Sequence, residues 1–297
     1  MISTCKYNHL TWVDLECPTS EEIKSVMTKF LIHPFVAEEL LKPTFRPRVD
    51  AYKDTLYLIL HFPIYNNVNR EYRSCEIDFI LGKNFLITTH YTTITPLYEI
   101  AKIFEAKGMI REKNISKNSG ILFFYIIRQL YDFSETQLNL IESKIDFIGE
   151  RMFEKKSTLY DLVRKISHIK KEILDFKRII HFHKEIFYSL EAVAPKFFGE
   201  DFIYYLNNIN GEYQKLWNVM ENHIETIIAL QNTLDSLLMH RSNDVMKILT
   251  MMALFTFPLT VIIGLFGIDT KILPLVIIIM VVVATGMLSY FKYKKWI

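Results

Sequence analysis

Two long runs without a charged side chain dominate the C-terminal end of this 297-residue chain. They cover residues 248–268 and 272–291, and only residues 269–271 separate them. An α-helix of about 20 apolar residues is long enough to cross the hydrocarbon core of a bilayer. We therefore expect a hairpin of two transmembrane helices, with Asp269 and Lys271 in its short outer loop. Before residue 248 the sequence is charged and mixed, which indicates a large polar body.

Basic residues flank the predicted hairpin on one side of the membrane. Such residues gather on the cytoplasmic side of membrane proteins, and here they precede the first run and follow the second, as Arg241, Lys247, Lys292, Lys294 and Lys295. The outer loop has only Lys271. We expect both termini to be cytoplasmic, in a multi-pass protein of the cytoplasmic membrane. The net charge of +2 gives no basis for binding nucleic acid, and we expect none.

The first 119 residues combine strand and helix signals and predict an α/β unit. Stretches rich in β-branched and aromatic residues predict three strands, at residues 55–65, 74–82 and 84–92, with a turn at Gly82-Lys83-Asn84. Thr19 and Glu22 mark the start of a predicted helix over residues 20–32. Pro96, at a first helical position, marks a second helix over residues 95–106.

From about residue 120 the pattern becomes helical, in three long segments near 119–153, 157–191 and 201–268. Along the last segment, apolar residues recur at steps of three and four from Leu206 to Leu237. No proline lies between residues 201 and 257, so nothing interrupts this helix before the membrane. At 1.5 Å per residue, about 65 residues form a rod of roughly 100 Å. Such a rod cannot bury its apolar stripe alone, and we expect neighbouring subunits.

These patterns predict an α+β cytoplasmic domain whose long stalk helix continues into a two-helix C-terminal membrane hairpin. The expected parts, in chain order, are an N-terminal α/β cytoplasmic domain (1–119), a helical cytoplasmic segment (120–199), a stalk helix (200–247), a first transmembrane helix (248–268), an outer loop (269–271), a second transmembrane helix (272–291) and a basic cytoplasmic tail (292–297).

The segment SNDVMKILTMMALFTFPLTVIIGLFGID, residues 242–269, resembles the first membrane helix of the CorA family of divalent-cation transporters. The resemblance extends to residues 33–65, to DFILGKNFLITTH at 78–90, and to the C-terminal YFKYKKWI. It implies a funnel-shaped homopentamer in which five copies of the first membrane helix line a pore. It also implies that Lys292, Lys294 and Lys295 form a basic ring at the inner membrane surface.

The resemblance assigns pore-lining positions to seven residues, namely Asn243, Met246, Leu249, Ala253, Phe257, Thr260 and Gly264, and an outer mouth to Gly267, Ile268 and Asp269. Their spacings of three and four place the seven on one helix face independently of any family. Mg²⁺ gives up its water reluctantly, so oxygen-bearing rings can hold the hydrated ion. Apolar rings such as those of Met246 and Leu249 close a pore by dewetting. We expect Mg²⁺, with Co²⁺ or Ni²⁺, as the transported ion, Asp269 as its contact, and no cofactor.

This sequence departs from the family pattern at three places. The family's outer Gly-Met-Asn is Gly267-Ile268-Asp269 here, and the outer loop has no acidic residue. Two stalk aspartates of magnesium-sensing members align with Asn208 and Asn232, which implies a weakened regulatory metal site. Two alternatives follow from these departures: a zinc or other transition-metal transporter of the ZntB type, or a membrane-anchored sensor or scaffold that has lost transport.

No enzyme motif is found in the sequence: it contains no HExxH, no phosphate-binding glycine loop and no nucleophile elbow. We therefore expect a protein that is not an enzyme. His181 and His183 are two residues apart on a predicted helix and point to different sides, which argues against chelation. His223 and His240 lie on the predicted stalk, as candidates to line a transition-metal path. The remaining strand histidines, His61 and His90, are predicted to be structural.

Overall fold

The computed structural model describes residues 1–7, 9–44, 46–66, 71–105, 118–154, 159–266 and 273–294. The chain divides into two compact units, Met1–Ala229 and Leu230–Ile297. The first contains a mixed sheet with helices, and the second contains the C-terminal part of one long helix and a further apolar helix. The predicted fold class is confirmed in these respects.

A six-stranded sheet forms the centre of the first unit. Its strands are β1 Ile2–Tyr7, β2 Leu10–Glu16, β3 Arg48–Ala51, β4 Thr55–Asn66, β5 Glu71–Gly82 and β6 Phe85–His90. Their spatial order is β1-β2-β6-β5-β4-β3, and every neighbouring pair is antiparallel except β2 and β6, which run parallel. The three strands predicted between residues 55 and 92 are confirmed, whereas β1, β2 and β3 were not predicted.

Nine helices are described, and the first eight begin in the first unit. They are α1 Ser20–Phe30, α2 Pro34–Glu39, α3 Thr95–Glu105, α4 Ser119–Arg151, α5 Leu159–Ile180, α6 His183–Val193, α7 Pro195–Phe198, α8 Phe202–Phe266 and α9 Leu273–Tyr293. On one face of the sheet, α1 and α2 cover a core that includes Val26, Val36, Tyr57 and Ile59. On the other face α4 and α5 pack against β4 and β5, where Phe79 meets Phe123 edge to face.

Local sequence signals account for the boundaries of α1 and of the β5–β6 hairpin. The Thr19 side chain accepts the backbone N–H of Glu22, and the Glu22 carboxylate accepts the backbone N–H of Thr19 at 2.8 Å, which completes a capping box. At the predicted hairpin turn, a Cβ added to Gly82 would lie 2.2 Å from the ring of Phe85. The side chain of Phe85 therefore takes the space that any other residue at position 82 would need.

The single helix predicted over residues 157–191 is wrong. The chain turns at His181 and Phe182, so that α5 ends at Ile180 and α6 begins at His183. His183 is fully buried while His181 is exposed. No proline or glycine marks this break. Directly after it, the buried His183 ring forms two hydrogen bonds, to the Tyr131 hydroxyl and to the carbonyl of His61.

The long helix α8 follows Gly199, whose φ of 89° ends the preceding helix. It runs for 65 residues, through Pro258, and confirms the predicted uninterrupted helix. In the first unit its buried side chains follow the predicted periodicity, as Leu206, Ile209, Tyr213, Leu216, Met220 and Ile227. This stripe anchors the first part of α8 against the other helices of that unit.

Candidate ion-conduction helix

The seven residues predicted to line a pore occupy one uncovered face of α8. All seven, from Asn243 to Gly264, are exposed in the single chain, and Met246 is 58% exposed. At about 100° per residue they fall within about 120° of the helix circumference. The face is therefore continuous over six turns and has no partner within the described part of its own unit.

Between residues 251 and 262, the side chains of α8 that are partly shielded from solvent lie on the opposite face. Those with reduced exposure are Met251, Phe255, Pro258, Leu259 and Ile262, and their centre lies about 180° around the helix from the centre of the seven. On α9 the covered residues also form one stripe at steps of three and four, from Val276 to Phe291. The second unit thus covers a narrow stripe of α8 between residues 251 and 262, and the predicted pore positions lie opposite it, among residues that are exposed. Residues 241–250 are exposed on every side of the helix.

Threonine side chains add hydrogen bonds to backbone carbonyls on either side of Pro258, in the middle of the predicted membrane span. Pro258 has no N–H to donate along the helix. Two residues further on, the Thr260 hydroxyl donates to the carbonyls of Thr256, at 3.1 Å, and Phe257, at 2.8 Å. The Thr256 hydroxyl donates to the carbonyl of Met252 at 2.9 Å. These bonds satisfy the hydroxyl protons within the helix, and the lone pairs of Thr260 remain able to accept from water on the uncovered face.

The polar end of the face lies one turn before the apolar run. Asn243 lines a shallow groove of about 360 Å³ together with His240, Asp244 and Lys247. Lys247 and Asp244 form an exposed ion pair at 3.5 Å. Asn243 therefore stands in a solvated, charged setting, directly before the apolar ring positions of Met246 and Leu249.

A family model described as "CorA-like Mg2+ transporter protein" matches residues 7–295 of the chain. The chain belongs to the CorA family. The cobalt/magnesium transport protein CorA of Thermotoga maritima is 25% identical over 300 residues, which cover 97% of this chain and 83% of that protein. The predicted recognition is therefore confirmed over nearly the whole sequence.

Two solved structures show how the CorA fold compares. The complete CorA magnesium transporter of Methanocaldococcus jannaschii superposes with a TM-score of 0.83 at 18% identity, covering 98% of this chain and 93% of that chain. The ZntB cytoplasmic domain of Vibrio parahaemolyticus reaches 0.52 at 16% identity, covering 77% and 88%. Both similarities concern the fold alone, and the CorA structure is the nearer of the two in TM-score and coverage.

Some predicted positions of this CorA chain lie outside the described residues. They are Gly267, Ile268 and Asp269 at the outer mouth, and Lys295 in the tail. Lys292 lies in the last turn of α9 and Lys294 follows that helix, both exposed. The basic tail thus begins within the last turn of α9. The roles assigned to Gly267, Ile268 and Asp269 stay predictions.

The stalk asparagines are exposed residues in separate units. The Asn208 side chain donates to the carbonyl of Tyr204 at 2.9 Å, and the carbonyl of Asn232 accepts from Ser236 at 3.0 Å. Among the described residues, no group of three or more histidine, cysteine, aspartate or glutamate side chains is arranged to hold a metal ion.

The histidines are mostly structural. Because the carbonyl of His61 can only accept, the Nε2 of His183 donates to it at 2.8 Å, and Nδ1 accepts from the Tyr131 hydroxyl at 2.7 Å. Burial lowers the pKa of His183 to about 3. His223, a candidate to line a metal path, is instead buried, and burial lowers its pKa. His240 is exposed beside Asn243.

The buried ring of His90 has a raised pKa, in contrast to those of His183 and His223, and the sequence did not predict this difference. The Nδ1 of His90 donates to the carbonyl of Thr92 at 2.7 Å, and Nε2 lies 3.2 Å from the Asp14 carboxylate. Burial alone would lower the pKa of His90, but the hydrogen bond and charge of Asp14 outweigh burial and raise it. The predicted structural role of His90 thus rests on an ion pair between β2 and β6.

Proposed function

We propose that this chain moves Mg²⁺, with Co²⁺ and Ni²⁺ as further cargo, across the cytoplasmic membrane through a pore lined by the first membrane segment of α8. The observation that carries the proposal is the uncovered face from Asn243 to Gly264, opposite the stripe that the second unit covers. Membership of the CorA family supports the same reading. So does the Thermotoga maritima relative, whose name states cobalt and magnesium transport.

A homopentamer brings five copies of this face together around one axis. The face carries a hydroxyl at Thr260, whose lone pairs a lone helix would expose to lipid at a cost, and an amide at Asn243, in the polar segment just before the predicted span. Around a shared aqueous path both groups instead contact water. The number five rests on the family resemblance, and both termini lie in the cytoplasm according to the distribution of basic residues.

Each ring of the pore has a distinct chemical role. Asn243 oxygens accept from the water shell of an ion, because Mg²⁺ exchanges its bound water reluctantly. Met246 and Leu249 form apolar rings that stop conduction when they lose water. Asp269, in the outer loop, supplies a ring of carboxylates that concentrates cations at the mouth. The chain performs no covalent chemistry in this scheme, binds no cofactor and is not an enzyme.

The two alternatives have less support. A ZntB-type zinc transporter is the more distant structural comparison, with a TM-score of 0.52. A transport-deficient scaffold gains support only from the replaced outer motif and from Asn208 and Asn232. Magnesium remains the proposed cargo, because the name of the Thermotoga maritima relative states cobalt and magnesium transport.

Metal flux into proteoliposomes tests the proposal. The full chain should admit Mg²⁺, Co²⁺ and Ni²⁺ down their gradients, as followed by an enclosed fluorescent indicator, with empty liposomes as the baseline. Asp269→Asn should change the affinity or the rate, because it removes the carboxylate ring. The matched control Asp201→Asn alters an exposed acid that precedes α8 and should leave flux unchanged. Absence of flux for every metal would refute transport, and flux of Zn²⁺ alone would favour the zinc alternative.

A further inference from the structure

Two buried carboxyl groups lie side by side on β5. Glu76 and Asp78 are two residues apart, so their side chains point to the same face of the sheet. Opposite them on β4 are His61 and Ile59, and Ile59 belongs to the core that α1 and α2 cover. Glu76 is 6% exposed and Asp78 is 1% exposed. Because a charged group is costly to bury without a partner of opposite charge, this pair requires a physical explanation.

Glu76 holds the connection between α2 and β3. The backbone N–H of Thr44, in that connection, donates to both oxygens of the Glu76 carboxylate, at 2.6 and 2.9 Å. The Nε2 of His61 lies 3.0 Å from the carbonyl of Thr44 and 3.2 Å from the same carboxylate. We call the bonds from the Thr44 N–H to Glu76 the Thr44 contact. This contact ties a loop to the sheet, and it requires the Glu76 carboxylate to stay in the core.

Asp78 receives a hydrogen bond on only one of its two oxygens. The Tyr91 hydroxyl donates to Oδ2 at 2.9 Å, whereas Oδ1 is buried and receives no hydrogen bond from the part of the chain that the structure describes. The Asp78 side chain also meets that of Glu76. A carboxylate can only accept, so two carboxyl groups hydrogen-bond to each other only when one of them carries a proton. Oδ1 of Asp78 is the atom that is free to carry it.

The surroundings of Asp78 favour its protonated form. Burial and the nearby charge of Glu76 raise the pKa of Asp78 well above its usual value of 3.8, and the hydrogen bond from Tyr91 opposes them only in part. The guanidinium of Arg48 is engaged by Glu39 and Asp50. The titratable and charged groups that face the cluster are Glu39 from α2, Arg48 from β3, Tyr57 and His61 from β4, Glu76 from β5, and Tyr91 after β6.

We propose that Glu76 and Asp78 share one proton at neutral pH, and that loss of this proton releases the Thr44 contact. Without the proton, two negative charges would lie together in the core, where burial disfavours each of them. Glu76 has the longer side chain and is the less deeply buried of the two, so it is the group that turns out to solvent. The α2–β3 connection then loses its attachment to β5. This response to pH does not depend on the proposed transport.

Proton linkage determines the direction of the response. The pKa of Asp78 is raised in the fold, so the closed contact binds a proton that the open one releases. The stability that this proton gives is complete below pH 3.8 and is lost as the pH rises through the pKa of Asp78 in the fold. Over that range, opening of the Thr44 contact should become up to about tenfold more favourable per pH unit.

Infrared difference spectroscopy tests the shared proton in the full chain, held in a maltoside detergent that has no carbonyl group. A protonated carboxyl group has a C=O stretch that is separate from the bands of a carboxylate. The parent should show this band at pH 6 and lose it as the pH rises. Asp78→Asn should lack that component, and so should Glu76→Gln, because its amide can donate to the Asp78 carboxylate and favour ionisation. The control Asp54→Asn changes an exposed acid in the β3–β4 turn and should keep the component.

Persistence of the whole band in Asp78→Asn would overturn the shared proton, and so would a band that is unchanged in Glu76→Gln. A parent spectrum without a titrating carboxyl band would also overturn it.

Hydrogen exchange of the Thr44 amide, measured by mass spectrometry with single-residue fragmentation, tests the release of the contact. Intrinsic exchange also accelerates with pH, so each parent rate is divided by that of Asp78→Asn at the same pH. The ratio should rise between pH 6 and pH 9, by up to about tenfold per pH unit. The ratio of the parent rate to that of Asp54→Asn should stay constant. A constant ratio for Asp78→Asn would overturn the release.

Tyr91→Phe keeps the proposal testable if Asp78→Asn does not fold. This variant removes a hydrogen bond that lowers the pKa of Asp78. Its carboxyl band should therefore persist to higher pH than that of the parent, and its Thr44 amide should exchange more slowly than the parent amide at pH 9. A band and an exchange rate that both match the parent would overturn the proposal.

Discussion

Protonation of His183 gives a quantitative test of the cytoplasmic unit. The ring is fully buried, donates to the carbonyl of His61 and accepts from Tyr131, so the folded protein holds it neutral. Its pKa is about 3 in the fold, against 6.5 for an ordinary histidine. As the pH falls below 6.5 the unfolded chain takes up a proton that the folded chain does not. Stability contributed by the neutral ring is therefore present above pH 6.5 and is lost progressively toward pH 3.

Proton linkage converts this difference into a loss of about 2 kcal/mol between pH 7 and pH 5, and about 4 kcal/mol by pH 3. Other groups titrate over the same range, so the comparison must be made with a variant. His183→Gln removes the titrating ring, and at pH 7 it should cost at least about 2 kcal/mol, because buried hydrogen-bonding groups lose their partner. The stability gap between this variant and the parent should then shrink by about 2 kcal/mol at pH 5.

Denaturant unfolding of the full chain, followed by the fluorescence of Trp12 and Trp217, measures the gap at each pH. His181→Gln serves as the matched control, because its ring is exposed two residues away and should follow the parent at every pH. A gap for His183→Gln that stays constant from pH 7 to pH 5 would refute the reasoning. It would mean that the ring is not held neutral in the fold.

Three further predictions concern the pore face and local folding. Met246→Ala should raise Mg²⁺ flux into proteoliposomes when the pore is closed, because the smaller side chain widens an apolar ring. The control Met252→Ala, about equally exposed but on another face of α8, should leave that flux unchanged. Equal effects of the two variants would contradict the assigned pore face. Gly82→Ala should lower the free energy of unfolding by about 1–3 kcal/mol in denaturant titrations, because its methyl group would overlap the neighbouring ring. Thr19→Ala should cost about 1 kcal/mol through loss of the α1 cap, while Thr19→Ser should restore most of it.

Local and periodic signals allowed much of the architecture to be predicted from the sequence. The absence of charge marked the C-terminal apolar helices, the Thr19–Glu22 pair marked α1, and the steps from Leu206 onward marked α8. Each of these signals depends on residues within a few turns of one another. The pore face also followed from spacing, although only the family resemblance gave it a function.

Features that depend on distant partners could not be predicted in this way. The short strand β1 forms by pairing with β2, and β2 in turn pairs with β6, which lies more than 70 residues later in the chain. The break between α5 and α6 comes directly before His183, whose buried ring hydrogen-bonds to two other elements. The burial of His223 likewise depends on the packing of α8 in its unit. Neither the sequence around the α5–α6 break nor that around His223 contains a proline or glycine that would indicate the outcome.

The parallel pairing of β2 with β6 has a consequence for the order of folding. It joins residues such as Asp14 and Thr88, which are 74 positions apart, whereas β4, β5 and β6 follow one another as local hairpins. Contacts between distant residues form late because closing the loop costs entropy. Until the N-terminal hairpin docks, β6 presents an unpaired edge to other nascent chains. The first 16 residues therefore protect that edge by pairing with it. We expect a chain that lacks them to aggregate, because the unpaired N–H and C=O groups of β6 could then pair with a strand of another chain.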